Sequence, residues 1–272
     1  MIMLYITGTP IGNLDDMSYR AIKTLKEADV ILCEDTRITR KLTTHFEIDT
    51  PLKSYHDFNK EEVTEAIIED IQNGKIYALV TDAGMPVISD PGFELVSRMQ
   101  DENLPYSVIP AASAFTMALV ASGIASYEFT YFGFLPKSSS KQREKLSEIM
   151  HHKFTSVLYE SPHRMKNLMT EISNIDSSRI VSVSREITKK FEQHVRGTAD
   201  ELLSKLDNDI PLKGEFVVVI DKYEEAQAEF TGTPKEHVTE LVEEGMRPKD
   251  AIKLVAELRG LKKQEVYDVF HK

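Results

Sequence analysis

Residues able to do chemistry recur at one kind of place in this chain, immediately after an apolar run. "YALVTDAGMP" sets Asp82 directly behind such a run, with Gly84 close by, and "LYESPHR" supplies Glu160, His163 and Arg164. "VSVSREITKK" ends in Arg185 and Glu186, followed by Lys189 and Lys190, and "ILCEDTR" brings Glu34, Asp35 and Arg37 together. A carboxylate so placed holds hydroxyls or an amino group, or removes a proton. Histidine is the side-chain type that exchanges protons nearest neutral pH, and guanidinium groups stabilise an anion as it forms. Each cluster alone also reads as a solvated salt-bridge group. Several at successive strand ends read as a site.

The turn "TGTPIGN", residues 7–13, is of a different kind. Gly8 and Gly12 have three residues between them and no lysine follows, so neither the dinucleotide fingerprint nor the phosphate-binding loop is present. Pro10 lacks an N–H and weakens any nest of donors for a phosphate. The turn therefore suits a ligand that is not anchored by phosphate. In "SVIPAASAFTMAL", Ala111 to Ala114 place only small side chains at another strand-to-helix turn, which lets a flat ligand approach the backbone or simply packs helix on sheet. Asp90-Pro91 reads as a helix N-cap with proline at the first position, a structural role. Ser161-Pro162 reads the same way, which puts His163 and Arg164 in a first turn where cations oppose the helix dipole, and an anion is expected nearby.

These ends need strands and helices behind them. Apolar, β-branched runs fall at 2–6, 29–33, 76–80, 106–109, 129–134, 154–159, 179–184 and 215–220, and most gaps between them carry helical periodicity. Such alternation predicts an α/β protein with mostly parallel strands, whose ligand sits beyond the carboxyl ends of the strands. The start of the chain has no basic leader, and the long uncharged stretch 103–127 is interrupted by Pro105, Pro110 and Gly123, so a buried strand and helix are expected there rather than a membrane span. One cysteine among 272 residues excludes an internal disulfide and a cysteine-built zinc cluster, no metal site is expected, and a reducing cytoplasm fits.

The net charge of −11 argues against a polyanion partner, but its distribution does not. Residues 1–136 carry 10 Lys and Arg against 20 Asp and Glu, whereas 137–166 carry seven against three. A local field of that kind steers a polyanion whatever the total. "LPKSSSKQREK" presents Lys137, Lys141, Arg143 and Lys145 on a serine-rich connection suited to phosphate contacts. Beyond the polar stretch "YEEAQAEFTGT", Thr233 and Glu236 form a capping box around Pro234, Gly245 and Gly260 read as helix stops, and Ala251, Leu254, Val255 and Leu258 share one helix face.

Seven motifs in order, "TGTPIGNLDDMS", "ILCEDTR", "TDAGMPVISDPG", "VIPAASAFTMAL", "LYESPHR", "SREITKKFE" and "GEFVVVI", resemble the ribosomal RNA small subunit methyltransferase I family, a branch of the tetrapyrrole methylase superfamily. The resemblance spans nearly the whole chain. It implies α/β domains at 1–115 and 116–224 with a cofactor cleft between them, and a helix-turn-helix-like tail at 225–272. It also implies a cytoplasmic, S-adenosylmethionine-dependent enzyme that methylates the ribose 2′-hydroxyl of a decoding-centre cytidine in 16S rRNA of the small ribosomal subunit, usually as a homodimer, with no DNA or membrane partner. Carried over by motif, Pro10 would line the adenosine side, and Asp82, Gly84, Val87 and Ile88 the methionine and ribose. Ser113, Ala114 and Tyr159 would complete the pocket. Met85 departs from the family, which more often has threonine there.

For the chemistry, Glu160, His163 and Glu186 are the candidate bases, and Arg37, Arg164 and Arg185 the groups that orient phosphate or alkoxide. Lys137, Lys141, Arg143, Lys145, Lys189 and Lys190 are the candidate RNA contacts. A methyltransferase of the same superfamily acting on a tetrapyrrole or a modified protein side chain, and a non-catalytic ribosome-binding factor, are the competing readings.

Overall fold

A computed structural model describes residues 3–224 and 232–271. Ile2 of the expected first strand, and 225–231 of the expected polar stretch, lie outside the described residues. The chain divides into a compact unit of residues 1–223 and a second of 224–272.

The first unit holds two five-stranded sheets. In the first sheet β1 (Leu4–Thr7), β2 (Val30–Cys33), β3 (Leu52–Ser54), β4 (Tyr77–Leu79) and β5 (Tyr106–Ile109) run in the order β3-β2-β4-β1-β5, and every pair is parallel. Its inner strands β1, β2 and β4 are buried on both faces, as parallel sheets require. In β2 the pleat sends Leu32 to a cluster with Leu4, Ile6, Leu79 and Leu95, and Ile31 and Cys33 to a second with Leu25, Ala78 and Val80. Each fully buried Leu or Ile of these clusters contributes ~1.5–3 kcal/mol over exposure.

The helices of this half are α1 (Tyr19–Glu27), α2 (Thr36–His45), α3 (Lys60–Gln72) and α4 (Phe93–Asp101), with α5 (Ala114–Ser122) leading to the second sheet. α1 starts where Ser18 Oγ accepts the Ala21 N–H. α2 buries Thr39 and Thr43 rather than apolar side chains, so hydrophobic periodicity does not announce it. Asp90 does not cap α4. That helix begins at Phe93 after Gly92, whose φ of +133° no side-chain-bearing residue takes readily, and the loop before it carries Asp90 elsewhere.

The second sheet departs from the parallel expectation. β6 (Phe129–Phe134), β7 (Thr155–Glu160), β8 (Ile180–Arg185), β9 (Gln193–Thr198) and β10 (Phe216–Ile220) are ordered β6-β7-β10-β8-β9, and only β6 and β7 pair in parallel. A direct connection from β8 through a short turn forces the antiparallel edge strand β9, whose one aliphatic residue, Val195, stands among polar ones. β10, with all five residues buried, is the central strand. It lies antiparallel to β7, so the first residues of β10 stand beside the last residues of β7, Phe216 opposite Glu160. α6 (Ser139–Met150), α7 (Pro162–Ile175) and α8 (Ala199–Lys205) complete this half. α6 begins four residues after Leu135, so Lys141, Arg143 and Lys145 are helical rather than on a flexible connection.

The second unit packs α9 (Pro234–Glu243), α10 (Pro248–Leu258) and α11 (Lys263–His271) around Val238, Ala251, Ile252, Val255, Ala256 and Val266. The Thr233–Glu236 capping box is formed in both directions. The buried face of α10 is turned by one position from the expected one: Ile252 and Ala256 are inside, Leu254 is half-buried and Leu258 is exposed. None of the described helices is long and apolar enough to cross a membrane.

Candidate active site

The carboxyl ends of β1, β2, β4 and β5 meet those of β6 and β7 around a cavity of about 460 Å3. Its construction begins at "TGTPIGN". Thr9 and Gly84 exchange backbone hydrogen bonds of 2.8 and 3.1 Å, which ties the loop after β1 to the loop after β4. Gly8 allows this approach: a Cβ there would stand 2.4 Å from Ala111 Cβ and 2.6 Å from Met85 Sδ. Three of the motifs thus converge on one glycine. The loop after β4 is strained, with Val87 at φ +77° and Ser89 at +66°, both outside the conformations that side-chain-bearing residues prefer. Such strain persists only where its surroundings over-determine it, and it collects at ligand sites.

The wall of the cavity mixes apolar groups, among them Ile11, Ile88, Phe134 and Val217, with five carboxylates, Glu34, Asp82, Asp90, Glu160 and Glu215. Among the described residues of the wall none is Lys or Arg. Burial pushes the carboxyls of Glu34, Asp82, Asp90 and Glu160 up, whereas Glu215 pairs with Lys189 at 3.2 Å. Asp90 reaches about 6, raised further by the charges of Glu34 and Asp82. For Asp82 burial outweighs the hydrogen bond that its Oδ1 accepts from the Asp35 N–H at 3.2 Å. Glu160, only 2% exposed, accepts the Ser161 N–H at 2.7 Å through Oε1, while its Oε2 has no partner. A buried carboxylate oxygen without a partner is costly, and a ligand group is the natural claimant. Tyr159 closes the opposite side. Its hydroxyl accepts the Phe115 N–H at 3.3 Å, its ring meets those of Tyr131 and Phe134 edge-on, and burial pushes its ionisation up.

Of the residues expected at the cofactor, Asp82, Gly84, Ile88, Ser113, Ala114 and Tyr159 line this cavity. Pro10 lines a neighbouring one of about 190 Å3, and Val87 packs against Gly92. Of the residues expected to do chemistry only Glu160 is in the wall. His163 is exposed on the first turn of α7. Arg164 donates to the carbonyls of Leu135 and Pro136 at 3.1–3.3 Å and stands 3.5 Å from Glu160 Oε1. Arg37 turns to solvent and pairs with Asp35, holding that carboxyl down at about 2.

Arg185, 8% exposed, donates to the carbonyls of Phe191 and Lys213. Burial would raise Glu186, but the Glu215 N–H and Lys189 outweigh it and leave it low. Lys189 joins Glu186 and Glu215, each at 3.2 Å, and its stem lies over Gly12, where a Cβ would meet Lys189 Cγ at 2.5 Å. Lys145 pairs with Glu148 and covers the Phe132 ring, Lys190 lies over Phe191, and Lys137, Lys141 and Arg143 are exposed.

Glu34, from the strand-end cluster "ILCEDTR", belongs to the wall, and so does Asp90, which the sequence presented as a helix cap. So do Gly214 to Val217, whose signal was the motif "GEFVVVI".

The model of the tetrapyrrole (corrin/porphyrin) methylases matches residues 3–203, and that of the RsmI C-terminal HTH domain residues 228–270. A protein of Halalkalibacterium halodurans named ribosomal RNA small subunit methyltransferase I is 43% identical over 98% of this chain and 94% of its own length. The protein of that name from Bacillus subtilis is also 43% identical, over 100% of this chain and 94% of its own. This chain belongs to the ribosomal RNA small subunit methyltransferase I family.

Two solved structures share the fold of the first unit. The cobalt precorrin-4 methyltransferase CbiF is similar at a TM-score of 0.58 and 22% identity, covering 80% of this chain and 94% of its own. The uroporphyrin-III-C-methyltransferase of Thermus thermophilus is similar at 0.54 and 17%, with the same coverage. In this family frame the cavity lies where the two sheets of the methylase fold face each other.

Proposed function

We propose that the chain is an S-adenosylmethionine-dependent methyltransferase acting on 16S rRNA of the small ribosomal subunit, at the 2′-hydroxyl of a decoding-centre cytidine. The observation that carries the donor is the wall of five carboxylates, only Glu215 of them paired with a lysine, without a Lys or Arg among its own described residues. Such a wall repels phosphate and favours a cation. A volume of about 460 Å3 and the apolar lining suit a cofactor-sized ligand, and Glu160 Oε2 leaves an acceptor free for it or for the attacking group. Bound there, S-adenosylmethionine supplies an electrophilic methyl group on a sulfonium.

The residues of the chain contribute three things. The Gly8, Gly84 and Ala111–Ala114 backbone brings the donor close to the strand ends, and holding nucleophile, methyl and leaving group in line lowers the barrier by several kcal/mol. Ile88, Phe134 and Tyr159 cover the cavity against water. Glu160 takes the proton of the attacking hydroxyl on Oε2: burial raises its basicity, while Ser161 N–H and Arg164 hold Oε1 in place.

The rRNA acceptor rests on the relatives' name and on the exposed cations Lys137, Lys141 and Arg143. In this reading lobe 1–115 grips the donor, 116–224 supplies Glu160, and the tail 225–272 docks on the subunit. The homodimer implied by the resemblance has support in α5, which is apolar but for Thr116 and Ser122 yet leaves Met117 and Val120 exposed. The test is transfer of radiolabelled methyl to small subunits from a strain lacking the modification, followed by nuclease digestion. Label in a 2′-O-methylated cytidine is expected; label on a base, or none with folded protein, overturns the proposal.

A further inference from the structure

The smaller cavity is not needed by the donor, and its lining is of another character. It is walled by Pro10 and Leu14 on one side and by Ile38, Thr39 and Lys41 of α2 on the other, with Thr81 and Asp82 at its back. Leu14 and Ile38 expose about two-fifths of their surface. Thr39 and Thr81 Oγ1 are buried without a hydrogen-bond partner. Arg40 and Lys41 are exposed, and neither has an ion-pair partner among the described residues. Asp82 belongs to the walls of both cavities.

Apolar flanks, unclaimed hydroxyls and a free cationic rim make up what one nucleotide of an RNA strand needs. Aliphatic side chains flank a base, hydroxyls accept or donate at its edge, and Lys and Arg meet the phosphates. A volume of about 190 Å3 admits a single pyrimidine and is too small for the whole donor. We infer that this cavity is the acceptor-nucleotide subsite, in which the base of an unstacked pyrimidine nucleotide is seated between Leu14 and Ile38. The inference rests on the donor reading of the larger cavity. It also gives a use to the proline turn: Pro10 supplies an apolar flank and no N–H. Because the ribose is one bond from the base, a base seated here leaves its 2′-oxygen beside Asp82, at the border with the cavity that Glu160 lines. Thr39 and Lys41 are then positioning residues for the acceptor.

The full-length protein tests this with small ribosomal subunits lacking the modification as the probe. Subunit binding is measured by filter retention, turnover by methyl incorporation, and S-adenosylmethionine binding by calorimetry. Thr39→Val replaces an unpartnered hydroxyl by a methyl group, so melting is unchanged or raised. Subunit affinity should fall about fivefold, with the affinity for S-adenosylmethionine unchanged. Lys41→Ala, at an exposed position, should weaken subunit binding and flatten the dependence of log affinity on log salt by about 0.7.

Wild-type subunit affinity and salt dependence in both variants overturn the subsite. Loss of S-adenosylmethionine affinity in Thr39→Val also overturns it, by assigning the cavity to the donor. Wild-type protein that gives no heat with S-adenosylmethionine overturns the donor reading beneath it instead.

Discussion

Two charged neighbourhoods stand at strand ends in the first unit, and they are built in opposite ways. Around the larger cavity Glu34, Asp82, Asp90 and Glu160 are pushed up by burial, with one oxygen of Glu160 unpartnered. Around the turn after β8, Glu186 and Glu192 are held low by Lys189, His194 and backbone N–H groups, and Arg185 is bound by carbonyls. The charged groups of the second neighbourhood satisfy one another and fix loops. The first is completed by what binds to it. Local charge density in the sequence is similar in both, so satisfaction of each group, rather than its presence, separates site from scaffold.

The largest effect should come from Glu160. Glu160→Gln keeps the shape and removes the base, so turnover on small subunits should fall by ~10²–10⁴-fold while S-adenosylmethionine still binds; single-turnover methyl transfer reads this directly. Arg185→Met should do the reverse. It removes donors from the Phe191 and Lys213 carbonyls, costing ~1–3 kcal/mol in urea unfolding, and leaves turnover per folded molecule close to wild type.

Asp90→Asn sharpens the contrast through pH. Asp90 titrates near 6 in the fold and near 3.9 unfolded. Between those values the folded protein binds more protons, so the stability this group contributes is complete below about pH 4 and is lost as pH rises through 6. The variant should therefore melt higher than wild type at pH 7.5 and alike at pH 4. For Glu186 and Glu192 the sign is opposite, since their stabilisation is present above the unfolded carboxyl range and lost as pH falls. The smallest effect is expected from Arg37→Ala: its exposed pair with Asp35 is screened by solvent, and thermal melting should not change measurably.

What could be read from sequence follows from burial. Strands with near-continuous apolar runs, such as "VILC" and "FVVVI", announced themselves, and so did the capped helix at Thr233. β3 and β9 did not, because neither carries an apolar run: "LKS" is three residues long and "QHVRGT" has one aliphatic residue among polar ones. α2 was silent because it packs through threonines, and the smaller cavity leans on that helix. The positions of Asp82 and Glu160 at strand ends were legible. Asp90 was not, since Asp-Pro is the local signature of a cap and only the loop geometry turns it to the cavity. Nor does spacing reveal that Arg164 and Arg185 end on carbonyls, because the Leu135, Pro136 and Lys213 acceptors lie 28 or 29 residues away in sequence.

The account stands on an anionic cavity that takes a sulfonium donor. Titration calorimetry of the wild-type protein with S-adenosylmethionine measures this most directly. It should show one site per chain, with affinity falling as pH is lowered from 7.5 to 5 and Asp90 takes up its proton. No heat from folded protein, or an affinity that rises toward acid pH, would contradict it.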